Sequence, residues 1–225
     1  MSVRRLDEVP RGLLRVSTTS TILDEMLVQF LVDFPEVQLE VLESTRQVDL
    51  VGEGIDVAIR FGPVLDPNLI VRRVGSVKRL VAGSPAYFEL RGHPATPGDL
   101  SEHACLVSFA GDDTPNRTWP LSTGGSVSVT GPMSGNAGRL LRKAALAGRG
   151  LVFLPVPFIA DDLASGELVP VLEQSVSAAT SMSVVFADRE YIDPKVRAFV
   201  DRAVQVLETA FATSTAGEDQ PARGA

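Results

Sequence analysis

The chain has 225 residues, of which 44% are hydrophobic and 22% charged, and a formal net charge of -7. The length suits one large domain or two small ones, each able to bury a core. The excess of 28 acidic over 21 basic residues excludes nucleic-acid binding through bulk electrostatics, because phosphate contacts need clustered Lys and Arg.

In chain order, "MSVRRLDEVPRG" opens the sequence with no apolar stretch behind its arginines, so it does not read as a secretory signal. "LLRVS" (Leu13 to Ser17) predicts a strand that runs into five consecutive hydroxyl residues, Ser17, Thr18, Thr19, Ser20 and Thr21. One helix cap needs only one hydroxyl, and Thr19 or Ser20 is the expected cap. From Thr21 to Phe34, apolar residues at Leu23, Met26, Leu27, Phe30, Leu31 and Phe34 form the stripe of an amphipathic helix, stopped by Pro35. "VQLEVLE" (Val37 to Glu43) and "IDVAIRF" (Ile55 to Phe61) read as strands, with a short helix expected between them in "RQVDLVGEG".

"LIVRRVG" and "KRLVAG" read as two further short strands. In "SPAYFEL", Ser84 is the expected cap and Pro85 the first residue of a helix. "CLVSF" (Cys105 to Phe109) and "SVSVTG" (Ser126 to Gly131) predict strands around an irregular loop that carries Trp119. A helix is expected over Arg139 to Ala147, a buried strand over "GLVFLP" (Gly150 to Pro155) and a helix in "FIADDLASGEL" with Gly166 past its end. "MSVVFA" (Met182 to Ala187) is a last strand, and Pro194 opens a long final helix. Residues 213–225 are small and polar and read as a disordered tail. Alternating strands and helices argue for an α/β fold with largely parallel sheets.

Little here carries catalytic chemistry. Cys105 stands alone in an apolar run, so it reads as a buried structural thiol and excludes an internal disulfide. His93 and His103 lie in polar loops without neighbouring ligands and read as surface histidines. The neighbours Asp161 and Asp162 point about 100 degrees apart on a helix and read as a solvated face. No Gly-x-Ser-x-Gly elbow, Walker loop or Gly-x-Gly-x-x-Gly turn occurs, so no enzyme and no cofactor is expected. What remains are polar and small residues at the carboxyl ends of predicted strands, where open α/β sheets bind ligands. They are Ser17, Thr18, Thr19 and Ser20, then Gly62 and Pro63, Ser108, Asn136 and Ala137, and Pro155. The set suits binding rather than catalysis, since none is an obvious base or nucleophile.

Seven stretches, in this order, resemble the effector-binding domain of LysR-type transcriptional regulators. They are "PRGLLRVSTT", "FPEVQLEV", "DLVGEGIDVAIRFG", "VAGSPAYF", "AALAGRGLVFLP", "DDLASGELVPVL" and "PKVRAFVD". The resemblance implies a fold like type 2 periplasmic binding proteins. Subdomain I would be residues 12–81 plus 183–212 and subdomain II residues 82–182, with two crossover strands and a cleft between them. It implies a small-molecule effector in that cleft, held by hydroxyls and by N-H groups at the starts of the helices after Thr19 and Asn136, which suits a small organic anion. It also implies a homodimer or higher oligomer, to which the first helix and the helix from Arg139 contribute. Two positions depart from the family pattern: Ala137, where an Asp is common, and the acidic pair Asp24-Glu25. Residues 1–11 look like the end of a linker helix, and DNA would be reached only through a winged helix-turn-helix that this sequence lacks. A cytoplasmic location is expected, without membrane contact. A stand-alone solute-binding protein of the same fold is the alternative.

Overall fold

The computed structural model describes residues 9–18, 23–44, 49–64, 66–109, 114–187 and 192–216, with side chains as far as residue 210. In chain order they form β1 (Gly12–Thr18), α1 (Asp24–Asp33), β2 (Val37–Glu43), β3 (Val57–Phe61), β4 (Leu69–Gly83), α2 (Pro85–Arg91) and β5 (Cys105–Ser108). There follow β6 (Thr118–Pro120), β7 (Ser126–Ser128), β8 (Ser134–Gly135), α3 (Gly138–Leu146), β9 (Leu151–Pro155), α4 (Ala160–Ser165), β10 (Val169–Val171), β11 (Ser177–Ala187) and α5 (Pro194–Ala216). The described residues within 9–44, 49–76 and 181–216 make one compact unit and those within 77–180 a second. The chain passes from one to the other within β4 and again within β11.

In the first unit, β1 runs parallel to β2 from Gly12 opposite Val37 to Thr18 opposite Glu43, and pairs in parallel with β3 on its other side. β11 joins β3 antiparallel, from Met182 opposite Phe61 to Phe186 opposite Val57. The first helix turns Met26, Leu27 and Phe30 inward. Phe30 meets Phe199 of α5 edge to face, 5.2 Å between ring centres, and Asp33 pairs with Arg202 beside them.

In the second unit, β9 lies between β4, which is antiparallel to it, and β5, which is parallel. Both faces of this sheet are covered. Leu151 and Phe153 of β9 join Trp119, Tyr87, Phe88 and Leu100 on one side. Val152 and Leu154 join Leu141, Ala145 and Ile159 on the other. A strand buried on both faces has no polar position to alternate with, which is why "GLVFLP" is an unbroken apolar run. The helix α2 begins as expected, with the Ser84 hydroxyl accepting from the Tyr87 N-H and Pro85 at its start. Gly166 closes α4 with φ of 77 degrees, in the left-handed region that favours glycine.

Several expectations need correction. "LIVRRVG" and "KRLVAG" are one continuous strand, which runs through the intervening Ser76 and Val77. Residues 50–54 are hydrogen-bonded turns rather than a helix, with the Glu53 N-H donating to Asp49 and the Ile55 N-H to Leu50. The helix α1 starts at Asp24 with Leu23 in the cap position and no side-chain cap; Thr19 and Ser20 lie outside the described residues. Leu31 faces outward, 40% exposed, and does not belong to the buried stripe. Trp119 is not in an irregular loop: it sits in β6, paired with Val127 of β7, and is 2% exposed. The last helix continues to Ala216, into the stretch expected to be tail, and residues 217–225 lie outside the described ones.

Asp162 is buried, not solvated, because Arg142 of α3 reaches across and binds both its carboxylate oxygens. Such a pair offsets the cost of burying the charge. His103 is also buried rather than at the surface. Its Nδ1 lies 3.0 Å from the Tyr87 hydroxyl. That hydroxyl accepts from the Ala104 N-H, leaving its own proton for a neutral imidazole. Cys105 is fully buried, and burial pushes its thiol up to about 12, so it is inert.

Burial lowers the pKa of His103 below its ordinary 6.5, against the opposing charges of Asp99 and Glu102. The unfolded chain therefore binds a proton that the folded ring resists, and the stability present above the ordinary value is lost as pH falls through it. Unfolding free energy from urea titration is expected to fall between pH 7.5 and 5. In His103→Gln that fall is expected to be shallower.

Candidate functional site

Each predicted site residue among the described ones sits at the carboxyl end of a strand or just beyond it. Ser17, Thr18, Gly62 and Pro63 lie in the first unit; Ser108, Asn136, Ala137 and Pro155 lie in the second. Thr19 and Ser20 fall outside the described residues.

In the first unit, the parallel register puts Ser17 of β1 beside Ala58 of β3, close to Arg60. Ser17 and Thr18 are both buried. The Ser17 hydroxyl accepts from Arg60 Nη2 at 2.8 Å, and the Ser17 carbonyl receives Nη1 at 3.4 Å. Nη1 also donates to the Ile59 carbonyl at 2.8 Å. Arg60 is 7% exposed, and no carboxylate bonds it among the described residues. Burial pushes its guanidinium down to about 10, with the charge of Glu53 opposing, so it stays protonated at neutral pH. The Ser17 hydroxyl is thus already engaged as an acceptor and keeps its own proton to donate.

Gly62 follows β3 with φ of 88 degrees, in the region that favours glycine. Its N-H donates to the Ser181 carbonyl at 2.8 Å, and its carbonyl receives the Ser181 hydroxyl at 3.2 Å. Gly62 thereby fastens the end of β3 to β11, while Pro63 beside it is exposed.

In the second unit, Ser108 and Pro155 meet on one residue that sequence reasoning missed. Arg79 stands opposite Pro155 in the β4–β9 ladder. Its Nη2 donates to the Phe153 carbonyl at 2.8 Å and lies 3.4 Å from the Ser108 hydroxyl. Its guanidinium carbon is 4.4 Å from the centre of the Phe153 ring. Desolvation pushes it down to about 10, still charged at neutral pH. Ser108 is paired with Gly135 of β8, which leads directly to Asn136 and Ala137. Ala137 occupies the cap position of α3 without a side-chain cap, so donors of the first turn are left unfilled by a side chain.

Arg60 did have a sequence signal, a cation inside the otherwise apolar "VAIRF", whereas Arg79 follows Lys78 in "KRLVAG" and had none as clear. Arginine is almost never buried without a partner. The first unit therefore carries a buried positive charge and the second a half-buried one, each next to hydroxyls at a strand end, an arrangement that can hold an anion and that contains no nucleophile paired with a base. Among the described residues no group of three or more His, Cys, Asp or Glu side chains could hold a metal ion. Nor is any helix there long and apolar enough to cross a membrane.

Residues 7–208 match the family described as the LysR substrate binding domain. An HTH-type transcriptional regulator of Xanthomonas campestris pv. campestris is 32% identical over 215 residues, covering 92% of this chain and 62% of that protein. The HTH-type transcriptional regulator DmlR of Escherichia coli K12 is 31% identical over 201 residues, covering 86% and 65%. The chain thus spans less than two thirds of the length of these curated relatives. Among solved structures, the CrgA regulatory domain, from a LysR-type transcriptional regulator of Neisseria meningitidis, superposes with a TM-score of 0.77 at 25% identity. It covers 88% of this chain and 100% of that one. The fold is accordingly the type 2 periplasmic-binding-protein-like α/β fold of LysR regulatory domains.

Ser17→Ala removes an acceptor from a buried guanidinium. It is expected to cost about 1–3 kcal/mol in urea unfolding, the usual penalty for leaving a buried donor unfilled.

Proposed function

The chain belongs to the LysR substrate binding domain family, and from that membership we propose that it senses a small organic anion and oligomerises, modulating transcription as part of a fuller regulator. The observation that carries this reading is the family match over residues 7–208. The relatives it resembles bear the names of transcriptional regulators, not enzymes. In the proposal the effector lies in the cleft that the family resemblance implies and is met by the hydroxyl of Thr18 and the donors around Asn136 and Ala137. Thr19 and Ser20 belong to the same proposal. The charges of Arg60 and Arg79 support an anion over a neutral or cationic ligand. Binding would shift the balance between two conformations by no more than its differential affinity for them. DNA is contacted, in this reading, through a winged helix-turn-helix outside the sequence given.

Oligomerisation is supported by the first helix. The helix α1 is apolar on both sides: Met26, Leu27 and Phe30 point inward, while Val28, Leu31 and Val32 are 67%, 40% and 67% exposed. Exposed apolar residues grouped three and four apart form a patch rather than scattered surface positions. Leu140 of α3, 49% exposed, offers a second apolar point.

Two measurements test the proposal. In a thermal-shift screen of small organic acids, at least one is expected to raise the melting temperature, and Thr18→Ala is expected to reduce that rise. A screen without any stabilising acid argues against the sensing role. In sedimentation, a species of about twice 24.0 kDa is expected, converting to the single mass when Val28 and Val32 are both replaced by Glu. A strict monomer at high concentration removes the oligomer claim.

A further inference from the structure

We propose that Arg79 is the residue that selects for a carboxylate, with the Ser108 hydroxyl and the Phe153 ring as its supports. The inference rests on the effector-binding reading and adds the group that reads the ligand's charge.

Arg60 and Arg79 differ in how fully they are used. Arg60 places three hydrogen bonds on Ser17 and Ile59. Arg79 has one good hydrogen bond, to the Phe153 carbonyl at 2.8 Å, and a long one to Ser108 at 3.4 Å. Its Nε is buried without any hydrogen-bond partner. Its Nη1 has none among the described residues either, and no carboxylate pairs with it there. That Nε has given up water without replacement, which costs free energy.

The geometry around it is that of a holder. The Phe153 ring lies against the guanidinium at 4.4 Å and limits its tilt. The Phe153 carbonyl anchors Nη2. Donors in the guanidinium plane remain for a planar acceptor, and a carboxylate matches that fork where a neutral amide does not. The Ser108 hydroxyl, if it accepts from Nη2, keeps its own proton for the same ligand oxygen. Ser108 and Pro155 were expected at a ligand site from strand-end position alone, and Arg79 is the charged group they share.

Two roles can be told apart by stability. If Arg79 is a ligand residue, Arg79→Met in the full chain removes a buried Nε that has no partner and keeps most of the side-chain volume. If it is a structural prop, the same change removes needed bonds. Melting temperatures of the wild type, Arg79→Met and Arg79→Lys are measured in chloride, in acetate of equal concentration, and in chloride with acetamide. Arg79→Met is expected to melt at or above the wild type in chloride. Acetate is expected to raise the wild type by about 1–3 °C over chloride, with acetamide inert. That rise is expected to vanish in Arg79→Met and to shrink in Arg79→Lys, which keeps the charge without the fork. The proposal is overturned if Arg79→Met melts lower or fails to fold, if the acetate rise persists in it, or if the wild type does not respond to acetate. None of these outcomes touches the effector-binding reading, which instead stands or falls with the organic-acid screen.

Discussion

A charge taken out of water has to be met by something, and in this protein the buried guanidinium of Arg60 and the half-buried one of Arg79 are met by hydroxyls, carbonyls and a ring rather than by carboxylates among the described residues. Arg60 leans on Ser17 and Ile59, Arg79 on Phe153 and Ser108. Arg60 stands between the apolar Ile59 and Phe61, while Arg79 stands between Lys78 and Leu80. Arg60 therefore cannot reach the surface without moving the core around it.

That constraint accounts for the contrast with Arg142. The pair it forms with Asp162 is closed, since both carboxylate oxygens are bound and Asp162 is 1% exposed. It joins α3 to α4. Arg79, by comparison, retains a buried Nε with no partner. A cation that is to hold an anion reversibly has to stay partly unsatisfied, because a fully paired one gains nothing from a ligand.

Much of the architecture was legible along the chain. Strong local signals stood out wherever one periodicity prevailed: β2 matches its expected limits, α2 has its Ser84 cap, and Gly166 closes α4. Legibility failed where a tertiary partner overrode local character. Trp119 looked like part of a loop because β6 is only three residues long and exists through pairing with β7. His103 looked exposed because its segment is polar, but Tyr87, sixteen residues earlier, draws it inside. Leu31 fitted the buried stripe by spacing, yet α1 turns it outward with Val28 and Val32.

The candidate site shows the same division. Position at strand ends followed from the sequence, because alternating elements imply an α/β sheet and such sheets bind ligands at those ends. Ser17, Ser108 and Pro155 came from that rule. That Ser17 is already an acceptor, and that Ser108 and Pro155 share an arginine, needed partners 43, 29 and 76 residues away in the chain. By itself the sequence determined the α/β alternation, the family likeness and the acidic surface. Only the tertiary structure decided which polar groups were spent on one another and which were left over. Spacing sets the face a side chain points to, but its partner is set by register and packing between distant segments.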